Sequence, residues 1–424
     1  MPISKQPPLA ILPAYRPVAF ELYADALTSA YRIENAVVTI HKNGAPLVTV
    51  RYKVARSQVS PVDPLDTRWF FDVDIQKICQ DSLAPYNIIT SVFVDKSVFF
   101  ADNTDMYANY FITVKYEAID LSTGILEDSG IDQDTSETFT VFSSSRGHTE
   151  SMFLEEFYDN NPTYPAKALT KSSRDITYCK TDNAFLSFIQ EDPTYNITNF
   201  QVIGYDNTGS QIEIGLIEVS NTSKNSQLTI NTGEEALRST AFYIGLPFNW
   251  LNPALSYFTI SAGYISTPPT GYTRLSEIFT YRFKNCQCNK RELRLHWLNL
   301  NGGVDSYTFD FSKTKSTATT SDRGQQALNW GIGSLTPHKV TAQGNFKYNS
   351  QATQKYTIES KLLNNTVATW LEDLLYSTKV YADIDGEFVP VIIENKEQAT
   401  QVSKGKIRYS LEVTLSNNPI IPRV

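Results

Sequence analysis

Short runs in which apolar and polar residues alternate dominate the chain, the period of a strand with one face buried. Ala36-Val37-Val38-Thr39-Ile40-His41 is rich in β-branched residues, and Asn43-Gly44 follows at once. Residues 47–54, Leu-Val-Thr-Val-Arg-Tyr-Lys-Val, largely resume the alternation. A short turn containing Asn-Gly between two such runs predicts a hairpin, and a period of two suits an antiparallel sheet. Further strands are predicted at 89–94, 110–118, 139–142, 200–205, 212–219, 241–245, 257–264 and 278–283. The C-terminal third adds 292–298, 305–311, 345–348, 356–361, 379–383, 388–393 and 407–415. Turn residues separate many of them, at 120–124, 206–209, 268–271 and 383–386. The stretch 313–323, Lys-Thr-Lys-Ser-Thr-Ala-Thr-Thr-Ser-Asp-Arg, is polar and low in complexity, and is expected to be a mobile loop.

Helical spacing is rare. Val367, Trp370, Leu371, Leu374 and Leu375 fall on one helical stripe, with Asn364, Asn365 or Thr366 before it as a cap. Residues 72–81 form a weaker helical pattern around Ile75, Ile78 and Cys79, and 182–189 a possible short turn. Parallel α/β folds need a helix of some length between strands, and none recurs here. The predicted fold is therefore all-β: multi-domain antiparallel β-sandwiches with a few short helices. The chain turns polar and Pro-rich at 159–165, and a short polar segment lies at 285–290. These divide it into an N-terminal sandwich (1–160), a middle sandwich (161–288) and a C-terminal β domain with one short helix (289–424).

Composition narrows the class. The 424 residues are 41% hydrophobic and include 24 Tyr and 23 Phe, enough burial to exclude disorder. The formal charge of −8 excludes a strongly basic protein, so no specific nucleic-acid binding is expected. No apolar run is long enough for a spanning helix and the N-terminus has no secretory signal pattern, so no membrane partner is expected. Four cysteines are too few for a disulfide scaffold. Cys286 and Cys288 form a C-x-C with only His296 as a further nearby ligand, short of the four that a structural zinc needs. The C-x-C is read as two thiols on one face of a strand.

Catalytic patterns are missing. The four histidines, His41, His148, His296 and His338, stand in no metal motif, and neither a nucleophile elbow nor a phosphate loop occurs. Glu372-Asp373 is read as a solvated pair, because neighbours on a helix point apart. Asp128, Asp132, Asp134 and Glu137 lack the spacing of an EF-hand and are read as a solvated loop. The expectation is a protein that is not an enzyme and uses no cofactor.

The most distinctive segment is 293–311, Leu-Arg-Leu-His-Trp-Leu-Asn-Leu-Asn-Gly-Gly-Val-Asp-Ser-Tyr-Thr-Phe-Asp-Phe. It reads as strand, glycine turn, strand. Leu293, Leu295 and Trp297 share one face, as do Tyr307, Phe309 and Phe311, while Gly302 and Gly303 supply positive φ at the reversal. The candidate packing or interface residues are Trp297, Asn299, Gly302, Gly303, Asp305, Tyr307, Phe309, Trp370 and Leu374.

The run Leu298-Asn299-Leu300-Asn301-Gly302-Gly303-Val304-Asp305-Ser306-Tyr307-Thr308-Phe309 resembles a pattern of virion proteins in tailed bacteriophages that infect Bacteroidetes, including the crAss-like phages. Residues 370–381 and 70–75 fit the same resemblance. It implies a structural protein of the virion tail or neck, made in the host cytoplasm, with no catalytic residues. Such a subunit is expected to form a homo-oligomeric ring or collar and to contact neighbouring tail or neck proteins. The alternative is a carbohydrate- or receptor-binding tail module, in which an exposed Trp250 or Trp330 stacks on sugar rings.

Overall fold

A computed structural model describes residues 3–8, 11–25, 31–59, 67–83, 97–129, 133–144, 157, 166–190, 196–219, 226–239, 248–266, 271–284, 292–325, 345–394, 399–403 and 406–416. The fold is all-β, with multiple, mostly antiparallel sheets. The chain divides into two compact units, Met1–Lys284 with Asn299–Val304, and Asn285–Leu298 with Asp305–Val424. The expected strands at 89–94 and 241–245, the turn at 268–271 and both polar segments at 159–165 and 285–290 lie largely or wholly outside the described residues.

The first unit contains two sandwiches. In one, a four-stranded sheet ordered Ile3–Lys5, Ala19–Asp25, Thr67–Asp74, Arg56–Val59 faces a seven-stranded sheet. The main path of that second sheet runs Ile11–Pro13, Phe139–Phe142, Tyr107–Asp120, Tyr31–Lys42, Ala45–Lys53. Alternation along Tyr107–Asp120 puts Tyr110, Ile112, Val114 and Tyr116 on the inner face. They meet Phe20, Leu22, Phe71 and Val73 from the other sheet, with the Phe71 and Tyr116 rings 5.6 Å apart. Asn43 (φ +50°) and Gly44 (φ +86°) form the predicted Asn-Gly turn.

The second sandwich pairs a six-stranded sheet, with main path Asp175–Tyr178, Phe279–Phe283, Tyr257–Ser266, Asn199–Tyr205, Gln211–Glu218, with a three-stranded one. The smaller sheet is Phe185–Gln190, Ser226–Asn231, Phe100–Asn103, so residues near position 100 join a sheet built mainly from the middle of the chain. Residues 185–190 are a strand rather than the expected helical turn. All six are buried, so neither face carries the polar alternation that marks a strand in sequence.

The second unit is an eight-stranded sheet with main path Val304–Phe309, Leu293–Leu298, Val380–Ile384, Glu387–Ile393, Lys406–Leu415, Asn345–Glu359, Ser312–Gln325. The helix Asn365–Tyr376 packs Trp370, Leu371 and Leu374 into the cluster of Leu295, Trp297, Leu411 and Val413. The Asn364 side chain caps it, accepting from Val367 N at 2.9 Å. Two sequence expectations need correction. The stretch 313–323 is not a loop but part of a 14-residue strand paired along its length with Asn345–Glu359. The helical pattern at 72–81 is strand up to Asp74 and helix only over Gln76–Ser82, with Asp74 Oδ1 accepting from Gln76 N at 2.9 Å. The short helix Glu234–Ser239 had no clear stripe in sequence.

Candidate functional site

The sequence-singled residues fall in both units, and each group is described within its own. In the first unit lies the turn Asn299–Val304. Asn299 is buried and closes it: its N–H donates to Gly303 O at 2.8 Å, and its Oδ1 accepts from Gly303 N at 2.9 Å. The Asn299 amide donates to Leu169 O at 2.6 Å, and Gln227 donates to Gly302 O. Val304 N donates to Ser187 Oγ at 3.2 Å, and that hydroxyl shares a 2.8 Å hydrogen bond with Thr229. Each of these bonds matters because an unpaired buried polar group costs about 1–3 kcal/mol, yet within the same turn buried Asn301 Oδ1 has no hydrogen-bond partner.

Gly302 holds φ +85°, and a Cβ there would meet Ser143 O at 2.6 Å. Gly303 has no positive φ, contrary to the sequence expectation. It is glycine because a Cβ would run into the Leu169 carbonyl. The turn is thus fixed by close backbone approach as much as by dihedral angle.

In the second unit, Trp297 and Trp370 lie side by side in the core, ring centroids 5.3 Å apart. Trp370 Nε1 donates to buried Asp305 Oδ2 at 2.7 Å. Tyr307 lies edge-on to both Phe309 (5.1 Å) and Trp370 (6.1 Å). Burial, and then the Asp310 charge, push its phenol pKa well up, so it stays protonated. Leu374 and Phe309 are fully buried, whereas Phe311, expected on the same inner face, is 43% exposed. On the opposite side of the strand, His296 shares a 2.8 Å hydrogen bond with Ser306 and Arg294 donates to Thr308 at 2.6 Å. Both are buried, so this strand is covered on two faces. Chemically the constellation is a packing device: an indole tied to a carboxylate, with aromatic rings around it.

The other candidates are dispersed. His41 stacks on Phe111 at 4.3 Å. Asp128, Asp134 and Glu137 sit on separate short segments, Glu137 accepting from Gln6 at 2.9 Å, while Asp132 lies outside the described residues. No group of three or more potential metal ligands occurs among the described residues. Cys286, Cys288, His148, His338 and Trp330 also lie outside them. Cys179 is disulfide-bonded, so the chain uses a cross-link that the cysteine count did not suggest. Asp373, expected to be solvated beside Glu372, is buried. Trp250 is buried against Phe248 and Phe258 and offers no face to a sugar. No helix among the described residues is long and apolar enough to cross a membrane.

What sequence reasoning missed is a group of exposed apolar residues. Leu121, Ile125 and Leu126 are 57%, 56% and 46% exposed at one hairpin tip. Asp120 holds the tip: its O accepts from Gly124 N at 2.7 Å and its Oδ1 from Ser122 N at 2.8 Å. The signal was present as Leu121 and Ile125-Leu126 around the turn residues Ser122-Thr123-Gly124, an apolar turn where polar residues are usual. No protein-family model matches the sequence, and a search of curated proteins returns no match.

Proposed function

We propose that the protein is a structural subunit of a phage virion, one that assembles with copies of itself into a ring or collar of the tail or neck and contacts adjacent virion proteins. The observation that carries the assembling part of this reading is the tip at 121–126. It presents three apolar side chains to solvent on a turn pre-ordered by Asp120. Ordered apolar groups left in water are characteristic of protein interfaces, and pre-ordering lowers the entropy that binding must offset. An edge strand adds to it: Ala45–Lys53 ends its sheet with Leu47 and Val48 exposed, a surface suited to pairing or packing with another chain. The virion assignment itself rests on the likeness of the 298–309 run to phage tail and neck proteins.

The test is electron microscopy of the purified full chain beside the variant L121S/I125S. Rings of uniform diameter from the parent, lost or sparse in a variant whose thermal unfolding is unchanged, support the reading. A variant that forms the same rings removes the tip from the contact. A parent that forms none under any condition contradicts the assembling reading.

A further inference from the structure

The four cysteines do not divide evenly into pairs. Cys179 is disulfide-bonded, and Cys79 is a free, fully buried thiol. The other two cysteines of the chain are Cys286 and Cys288. The partner of Cys179 is therefore one of these two, and the other has no cysteine left to pair with. Both lie outside the described residues, and the count alone assigns the partner.

The described residues lead the chain to the right place. Asp175–Tyr178 runs parallel to Phe279–Phe283 with Tyr178 opposite Phe283, and Lys284 N donates to Tyr178 O at 3.1 Å. Position 284 thus lies beside Cys179. Cys286 and Cys288 follow two and four residues later. At no more than about 3.6 Å per residue, both are within about 14 Å of chain from there, and a disulfide needs Cα atoms about 4.4–6.8 Å apart. Reach does not choose between them, so the two cysteines of the C-x-C compete for one partner.

The reactivity of the odd thiol decides whether the bond stays in one place. The nucleophile in disulfide exchange is the thiolate, and nearby cations favour it. Residues 284–291, Lys-Asn-Cys-Gln-Cys-Asn-Lys-Arg, carry three basic side chains and no acidic one. Lys180 follows Cys179, and its Nζ lies 5.8 Å from the centroid of the Phe283 ring. Asp182 also lies against Cys179, with its Oδ2 accepting from the Cys179 backbone N–H at 3.1 Å. Cys179 is only 3% exposed, which keeps external thiols from its sulfur. A thiol two residues from its bonded partner arrives with the chain and needs no entry path.

We infer that Cys179, Cys286 and Cys288 form a disulfide-exchange site, in which the bond to Cys179 passes between the two cysteines of the C-x-C. The thiolate of the odd cysteine attacks the Cys179 sulfur. A new S–S bond forms and the old one breaks. Its electron pair leaves on the displaced cysteine, which takes up the proton that the attacker lost. One disulfide and one thiol remain, so no oxidant or reductant is consumed. The inference stands apart from the assembly reading.

The test is a peptide map of the full chain, purified without reductant, quenched in acid with a maleimide and digested unreduced. Fragmentation of the peptide 285–290 linked to Cys179 reads which cysteine carries the maleimide. The expected result is two linked species, Cys179–Cys286 and Cys179–Cys288, within about tenfold of each other in amount. Alkylation of the folded chain at pH 8 is expected to modify one thiol per chain, divided between Cys286 and Cys288. C286S and C288S are each expected to keep Cys179 cross-linked and to lose that label. If a variant fails to fold, the map of the parent decides alone. One linkage only, with the maleimide always at the same position, overturns the exchange. Recovery of Cys179 as a thiol overturns the cross-link and the exchange together.

Discussion

Gly302 shows how much one position carries. Its φ of +85° is the region that side chains avoid, and Ser143 O leaves no room for a Cβ. Gly44 has nearly the same φ, +86°, but open space around it. G44A is therefore expected to cost about 1 kcal/mol from backbone strain alone, and G302A on the order of 2–4 kcal/mol, since a clash adds to the strain. Denaturant unfolding of the two variants checks this, and equal costs would mean that the loop relaxes around the new methyl. Cys79 gives a second test at this scale. It is free and fully buried, and burial pushes its thiol up to about 12 from an ordinary 9.0. The folded state thus holds this proton more tightly than the unfolded state. The resulting stability is intact below about pH 9 and is lost as pH rises through about 12. At pH 8 a thiol reagent is expected to label Cys79 only on unfolding. Rapid labelling of the folded chain would contradict its burial. Sequence exposed the turn glycines because reversal between strands is a local matter. It could not show that Gly303 answers to Leu169, which is over 130 positions away and meets it only through the fold.

At the scale of elements, packing is concentrated where the helix Asn365–Tyr376 meets its sheet. Asp305 and Trp370 are 65 residues apart in sequence and joined by one hydrogen bond. W370F keeps most of the ring but takes a donor from a buried carboxylate, so it is expected to cost about 1–3 kcal/mol. W370A is expected to cost about 3–5 kcal/mol, since a cavity is added. Calorimetric unfolding reads both, and a W370A variant of near-parental stability would place this ring outside the core. N364A is expected to cost about 1 kcal/mol by loss of the cap. This helix was legible because its stripe and its cap lie within a dozen residues. The strands with one face buried, such as Tyr31–Lys42 and Tyr107–Asp120, were legible for the same reason: alternation is a local record of burial. Phe185–Gln190 and Ser312–Gln325 failed in opposite ways. The first is buried on both faces and the second is wet on both faces over its described stretch, so neither alternates. In each case the ladder bonds to a distant strand decide the structure, and these are not written in the strand itself.

At the scale of the whole molecule, the two units place different features in water. The first offers an ordered apolar tip and an edge strand with Leu47 and Val48 exposed. The second extends a strand pair, 317–325 with 345–354, beyond the third strand of its sheet. Exposed apolar groups on an ordered turn are what the proposed assembly would use, and the buried aromatic constellation around Trp297 and Trp370 packs within its own unit. Most of the packing or interface candidates singled out in sequence, Trp297, Trp370 and Leu374 among them, are buried, while the surfaces that carry the proposal became visible only when exposure was known. Apolar residues at a turn and polar residues along a strand are both locally unremarkable until the fold leaves them uncovered.

The measurement that bears most directly on this account is the molar mass of the purified full chain by light scattering over a wide range of concentration. The account predicts a transition from the 47.7 kDa monomer to one discrete multiple of that mass. A single mass of one chain at every concentration and salt would contradict it.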